Sequence, residues 1–439
     1  MWRSRCGHVL AEAKLPLRPA ELKWPDLWVT IYFVNRQSGG DLSEMALDDL
    51  GNLVGEAESL LERTVELRRK IHRRPEIGLV LPETQATVLA ALEPLGLKTF
   101  CGTGTTSVVA VLEGGKPGPT TLLRGDMDAL PMPEDTGLDF ASEIPNAMHA
   151  CGHDAHVAML VGAATVLSGR KDSLKGRVVF MFQPGEEGYG GAKVMLEEGL
   201  VEKFGHIDRA FAIHVTPQVP SGMIVTRPGT LMASADEFRI VVKGKGGHAS
   251  MPHDAVDPIP VACEIVLGLQ AMVTRRVPVF DPTVVTISTL RAGTASNVIP
   301  ETVELSGTMR AVSDSTRAYV LQRVKEVAEG IASAHLCTAQ LTLEKEGYPV
   351  TVNDSEQASR TLQVARDLLG PARVIEAPSP VMGAEDWSYV LQKVPGSMAF
   401  LGVAPAGVEA PAPNHSNRML IDEHALTSGI AMYSAMAIR

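Results

Sequence analysis

The sequence is short of three things, and each shortage narrows what the protein can be. It has only five cysteines, Cys6, Cys101, Cys151, Cys263 and Cys337. An odd, widely scattered set argues against a disulfide framework and for a reducing compartment, so the cytoplasm is the expected location. It also lacks a long apolar run. The stretch Leu27 to Val34 falls far below the roughly 20 residues that span a bilayer, and no clear small-residue cleavage site comes after it, so neither a membrane anchor nor a signal peptide is expected. Positive charge is scarce as well. Lys and Arg total 40 against 51 Asp and Glu, a net charge of −11. No dense basic patch is interleaved with aromatics, so nucleic acid is not an expected partner.

What remains is a globular composition, 45% hydrophobic and 21% charged, in 439 residues. That length exceeds one ordinary core and implies two or three domains. Residues 1–44 match neither the periodicity nor the composition of the rest of the chain. They form an unassigned N-terminal extension, and Met45, which opens an acidic helical stretch, is the expected natural start.

Chemistry is densest between Met148 and His156, where MHACGHDAH holds one thiol, one carboxylate and three imidazoles. Thiolate and imidazole suit a borderline-soft divalent ion, and Cys151 and His153 stand two residues apart around a flexible Gly152. Asp154 reads as an N-cap for the apolar run Ala155 to Leu167, which places the cluster at a helix N-terminus, where the dipole favours a thiolate. A lone Cys-x-His is more often a small buried cysteine beside surface histidines. The rest of the chain changes that balance.

A single helix is expected from Leu47 to His72 and a second from Pro82 to Leu95. The buried strand Thr120 to Arg124 runs into Asp126 and Asp128, the strand Gly176 to Phe182 runs into Glu186 and Glu187, and the strand Ala210 to Val215 carries His214. Helical segments lie between them, which is the β-α-β alternation of an open sheet that binds ligands beyond its carboxyl ends. After Ala233 the grammar changes to β-α-β-β-α-β, a split βαβ unit inserted into the larger one. The expected fold is α/β: a catalytic domain with a mostly parallel open sheet flanked by helices, plus an inserted α+β lid and dimerisation domain. The expected boundaries are 45–232 and 347–439 for the two catalytic segments and 233–346 for the insertion.

The ordered motifs Asp126-x-Asp128-x-x-Pro131, His149-Ala-Cys151-Gly-His153-Asp154, Gln183-Pro-Gly-Glu186-Glu187, the strand-borne His214, Gly246-Gly-His248, Asn297-Val-Ile-Pro300 and Asn414-His415 resemble the M20 metallopeptidase family. The similarity is to its aminoacylase-like amidohydrolase branch, which includes hippurate and auxin-conjugate hydrolases, and it runs from about Glu58 to the C-terminus. It implies two divalent metal ions held by Cys151, His153, Glu187, His214 and His415, with Cys151 in place of the bridging aspartate of other branches. The His-x-Asp of those branches reads here as Asp126-x-Asp128, so Asp128 is expected to orient a metal-binding histidine. The same resemblance implies a homodimer in which His248 crosses to the neighbouring subunit to stabilise an oxyanion. Asn297 and Arg310 would hold the substrate's carboxylate.

Amide hydrolysis needs a nucleophilic water near neutral pH and a base to take its proton. Adjacent glutamates suit this, with Glu187 on metal and Glu186 as general base. The expected reaction is therefore attack of a metal-bound water on a small-molecule N-acyl amino acid or related small amide. Thiolate softness favours zinc, and the family resemblance favours manganese equally. Two alternatives stay open: a small-peptide hydrolase on the same site, and a ligand-binding protein without turnover. His8, His72, His206, His335 and His424 read as capping or surface residues, His149 and His156 as flanking the site, and Cys101, Cys263 and Cys337 as core thiols.

Overall fold

The computed structural model describes residues 50, 52–345 and 347–439. The expectation for residues 1–44 lies outside them. No helix among the described residues is long and apolar enough to cross a membrane.

The larger sheet has eight strands in the order Lys98–Cys101, Val108–Glu113, Lys175–Gln183, Lys116–Asp126, Arg209–Thr216, Gly396–Gly402, Ile224–Thr226, Val374–Glu376. The four in the middle, from Lys175–Gln183 to Gly396–Gly402, run parallel. Their carboxyl-terminal halves are buried on both faces and mostly apolar, as strands covered by helices on either side must be, with Arg124, Asp126, Gln183 and His214 as buried polar exceptions. From Lys116–Asp126 the chain crosses to the neighbour on one side, then passes to the neighbour on the other. Where connections diverge like this a crevice opens at the carboxyl ends. Asp126, Glu186 and His214 all lie at this edge.

Helix His153–Gly169 fills the space behind that edge and is buried almost throughout. It lies close against the C-terminal helix Leu426–Ile438 because glycines face it: a Cβ on Gly162 would meet Ile430 at 2.8 Å, and one on Gly429 would meet Met159 at 2.0 Å. The second sheet has four antiparallel strands in the order Thr283–Ala292, Thr302–Ala311, Asp236–Lys243, Thr338–Leu343. Buried and partly exposed positions alternate along Asp236–Lys243 and Thr302–Ala311. One face therefore packs on helices Pro258–Arg276 and Asp314–Ala334, through Phe238, Ile240, Ile265, Leu269, Leu305 and Val324. The chain enters and leaves this sheet side by side, since Gly229–Met232 pairs with Thr351–Asn353 and Ala235 bridges Tyr348.

Several local expectations are corrected. The first helix is two, Leu53–Ser59 and Leu61–His72, separated at Leu60. Cys101 and Cys263 are exposed and only Cys337 of the three predicted core thiols is buried. Cys101 ends an edge strand exposed along its length, and Cys263 lies on the solvent side of its helix next to the buried Ala262. Asp154 is not the N-cap. Gly152 takes that place with a φ of 87°, and the helix begins at His153.

The Asp154 carboxylate is instead buried against Arg68 (3.0 Å) and His72 (2.8 Å). Arg68 continues to Glu423 at 2.7 Å, and the other nitrogen of His72 faces Glu134 at 3.2 Å. His72 is thus a buried residue joining three segments, not a surface one. Its long-range partners cannot be read from spacing.

With both ring nitrogens against carboxylates, His72 is held as a cation. Burial alone would lower its pKa, but Asp154 and Glu134 raise it to about 9. Because the folded value lies above the unfolded ~6.5, this stabilisation is complete below about pH 6.5 and is lost as the pH rises through about 9. Its ceiling is on the order of 3 kcal/mol. Thermal melts from pH 6 to 10 are expected to show a fall across that window, and His72→Gln to flatten it. An unchanged slope in the variant would remove His72 as the cause.

Candidate metal centre

Four segments deliver the donor atoms. Cys151 and His153 come from the turn into the long buried helix, Glu187 from the turn after Lys175–Gln183, His214 from Arg209–Thr216, and His415 from a C-terminal loop. They form two triples. Ligand atoms of Cys151, His153 and His214 lie within 4.8 Å of one another, as do those of Cys151, Glu187 and His415. Cys151 belongs to both, so one sulfur lies within reach of both sets; His153 is likewise grouped with Asp126 and His156 and with Glu186 and Glu187, and Asp126 with Glu186 and Glu385. The closest pairs are Cys151 Sγ to His214 Nε2 at 3.3 Å and Glu187 Oε1 to His415 Nε2 at 3.2 Å. These are the separations of two ligands sharing one ion with bonds near 2.0–2.3 Å.

The tautomers fit a cation. His153 Nδ1–H donates to the Asp128 carbonyl at 2.9 Å and His214 Nδ1–H to the Val215 carbonyl at 2.8 Å. Each ring therefore turns an Nε2 lone pair inward, the usual way a carbonyl orients a metal-binding histidine. His153 Nε2 is buried without a hydrogen-bond partner, with Asp126 Oδ2 as its neighbour at 3.3 Å. A buried lone pair left unpaired is costly, and a divalent ion would satisfy it.

The protein groups alone do not favour a thiolate. Burial, then Glu187 and Glu186, push the Cys151 thiol well above its usual value. The expectation from the helix dipole is overturned, because desolvation and two nearby carboxylates outweigh partial charges at one helix end. A bound cation supplies the charge that would release that proton.

The Asp128 carboxylate accepts the N–H groups of both Glu186 and Glu187 at 2.9 Å. Asp128 thereby holds His153 through its carbonyl and the glutamate turn through its side chain. That turn needs outside support. Gly185, Gly188 and Gly190 all have positive φ, and Glu187 is not helical, so few internal hydrogen bonds fix it. Glu186 is 6% exposed. Burial first, then Glu385 and Glu187, raise its pKa well above the ordinary carboxyl range. For Glu187 burial is outweighed by His415 and His153, which lower its pKa.

His415 adopts a φ of 66°, unusual for a residue with a side chain. It is pinned by its N–H to the Ala150 carbonyl at 2.8 Å and by Asn414, whose Nδ2 donates to the carbonyls of Cys151 and Val215 at 3.1 Å. Other predicted residues lie apart from this cluster. His248 and Asn297 meet on a two-stranded ribbon, where His248 pairs with Val298 and the Asn297 carbonyl accepts from Ala249 at 3.1 Å. Arg310 lies half-buried in the small sheet, with burial lowering its pKa against Glu237 and Asp236. No hydrogen bond or ion pair among the described residues joins these three to the donor triples.

Sequence reasoning missed the layer beneath. Arg124, fully buried, faces Asp126 (2.8 Å), Glu385 (2.7 Å) and Asp386 (3.2 Å). Asp386 also accepts from Gln183 Nε2 at 2.8 Å and from the Ala192 N–H at 2.9 Å. His156 receives the Val215 N–H on Nε2 at 2.8 Å, so its Nδ1–H donates to Asp126. Two signals were legible: an arginine inside the apolar strand TTLLR, and the adjacent acids Glu385-Asp386, which repeat the Glu186-Glu187 pattern.

Two donor triples sharing a sulfur, with a buried glutamate beside them at the carboxyl edge of an α/β sheet, define a metal-dependent hydrolase. The sequence pattern of peptidase family M20/M25/M40 matches residues 122–439, and the chain belongs to that family. It is 36% identical to thermostable carboxypeptidase 1 of Saccharolobus solfataricus, over 90% of this chain and 99% of that one. It is 40% identical to IAA-amino acid hydrolase ILR1-like 2 of Arabidopsis thaliana, over 85% of this chain and 84% of that one. Among solved structures, the YXEP protein of Bacillus subtilis, described as a dinuclear metal binding peptidase, superposes with a TM-score of 0.75. That pair is 33% identical, covering 87% of this chain and 98% of that one. The protein is thus a hydrolase acting on amide bonds with divalent metal, which sets aside the ligand-binding alternative.

Proposed function

We propose that this enzyme cleaves N-acyl amino acids or related small amides into a carboxylic acid and an amino acid. The observation that carries the reading is the pair of donor triples joined at Cys151, with Glu186 on the same turn as Glu187. Cys151, His153, Glu187, His214 and His415 would hold two ions, manganese or zinc. When bound, such ions lower the pKa of a water and polarise the scissile carbonyl.

Glu186 takes the water's proton on its carboxylate and returns it to the leaving nitrogen. Asp128 keeps Glu186 and Glu187 in register by accepting both their N–H groups. In His248, Nδ1 accepts from Ser250 N–H at 3.2 Å and from its hydroxyl at 2.8 Å, leaving Nε2–H as a donor suited to a developing oxyanion. Asn297 and Arg310 bind the substrate's carboxylate, Arg310 by a bidentate fork.

Residues 233–346 act as the lid and dimerisation domain between the catalytic segments 45–232 and 347–439. An exposed His248 fits delivery to a second copy. So do the outer strand Thr283–Ala292, which leaves one edge of its sheet open, and the exposed Leu267 and Phe280. Among the described residues all four cysteines are free, which fits a reducing cytoplasm. The likeness to a carboxypeptidase favours small peptides as the second substrate class.

Elemental analysis of protein purified without chelator should find about two ions per chain. N-acetyl and N-benzoyl amino acids should be cleaved in preference to dipeptides, in a metal-dependent way, by a species that sediments as a dimer. Faster cleavage of dipeptides would move the assignment to the peptidase reading, and an active monomer would remove the crossing His248.

A further inference from the structure

The Glu186–Gly190 turn is gripped from the junction between the two sheets. The Tyr348 hydroxyl donates to the Glu186 carbonyl and accepts the Gly190 N–H at 3.2 Å, so one oxygen bridges the two ends of a turn that has little internal support. Tyr348 lies where the chain returns from the four-stranded sheet. Its backbone carbonyl accepts from the N–H of Ala235, just before the strand Asp236–Lys243, at 3.0 Å. The same junction is clamped by Arg317 of helix Asp314–Ala334. Its guanidinium takes both oxygens of Asp236, at 2.7 and 2.8 Å, and donates to the neighbouring Gly347 carbonyl at 3.1 Å. Lys345 adds a contact to the Gly188 carbonyl at 3.5 Å.

We propose that Tyr348 is a positioning residue that ties the orientation of the small sheet to the placement of the Glu186 carboxylate. This rests on the reading of Glu186 as general base. The turn carries three positive-φ residues between Gly185 and Gly190, so its low-energy shape is not unique and outside hydrogen bonds select it. Asp128 fixes its amino end from the catalytic sheet, and Tyr348 fixes its carbonyl side from the junction. A rotation of the small sheet about the paired spans at Ala235 and Tyr348 therefore carries one of these supports with it. Displacing a reacting group by about 1 Å can cost ~10²-fold in rate, so small junction movements reach the chemistry.

The test is Tyr348→Phe, which keeps the ring and deletes the hydroxyl. Turnover is expected to fall about 10- to 100-fold, with KM and metal content unchanged. Deuterium uptake at the Gly190 amide should quicken, with or without metal, because that N–H loses its acceptor. In a double-mutant cycle, Arg317→Lys should slow turnover several-fold in the native background and add little in Tyr348→Phe, because the link is already cut.

Equal effects of Arg317→Lys in both backgrounds overturn the coupling. Unchanged kcat in Tyr348→Phe, while Glu186→Gln is inactive, overturns the Tyr348 assignment alone. Full turnover in Glu186→Gln overturns the base reading and the Tyr348 assignment with it. If Tyr348→Phe does not fold, the amide exchange and kcat of Arg317→Lys decide, and no change in either overturns the proposal.

Discussion

Glu186→Gln is expected to retain both metal ions and its fold while kcat drops about 10²- to 10⁴-fold, the share of the rate that a general base supplies. The amide is nearly isosteric with the carboxylate and keeps the backbone N–H on Asp128 and the carbonyl on Tyr348. What it cannot do is accept a proton. The position suits a base: the side chain is buried, and the adjacent Glu385 and Glu187 disfavour a further negative charge, so a proton gained there is well held. Proton return to the leaving nitrogen fails for the same reason. Elemental analysis beside single-turnover kinetics separates this from metal loss. Near-native turnover with metal retained would show that another group takes the proton.

The second large effect belongs to Cys151. Its sulfur is the one donor shared by the two triples, so Cys151→Ala removes a ligand from both positions at once. Loss of groups that merely orient a ligand weakens metal binding about 10- to 100-fold, and loss of a shared ligand should weaken both ions by at least about 10²-fold. Metal content after gel filtration is expected to fall well below two, with activity lost in parallel. Cys151→Asp is the informative partner, because a carboxylate can also bridge two ions and has no thiol to deprotonate in a buried site. It should recover metal where alanine does not. Retention of two ions by Cys151→Ala would show that the sulfur bridges nothing, and Asp126, which lies in a donor group with His153 and His156, would then need a direct role.

Much of this centre was legible in the chain. Cys151 and His153 announce themselves by residue type and spacing, and Glu186, Glu187 and His214 by their places at the ends of buried strands whose carboxyl termini must face a common crevice. The alternation of the inserted sheet was equally plain, because a half-buried strand repeats every second residue. Where local reading failed, a distant partner was responsible. Asp154 looked like a cap because caps are short polar residues before apolar runs. Arg68, contributed by a helix far earlier in the chain, claimed its carboxylate instead. His72 looked peripheral because it ends a basic helical turn, yet Glu134 and Asp154 enclose it.

The sequence by itself determined the donor types, the order of the main central strands and helices, and the edge of the sheet at which the donors gather, because these depend on residue identity and on periods of a few residues. Only the tertiary structure decided that Arg124 gathers Asp126, Glu385 and Asp386 beneath the donor triples, and that Tyr348 reaches across to the glutamate turn. Those contacts join residues far apart in the chain, and their geometry depends on how whole elements pack rather than on any local pattern.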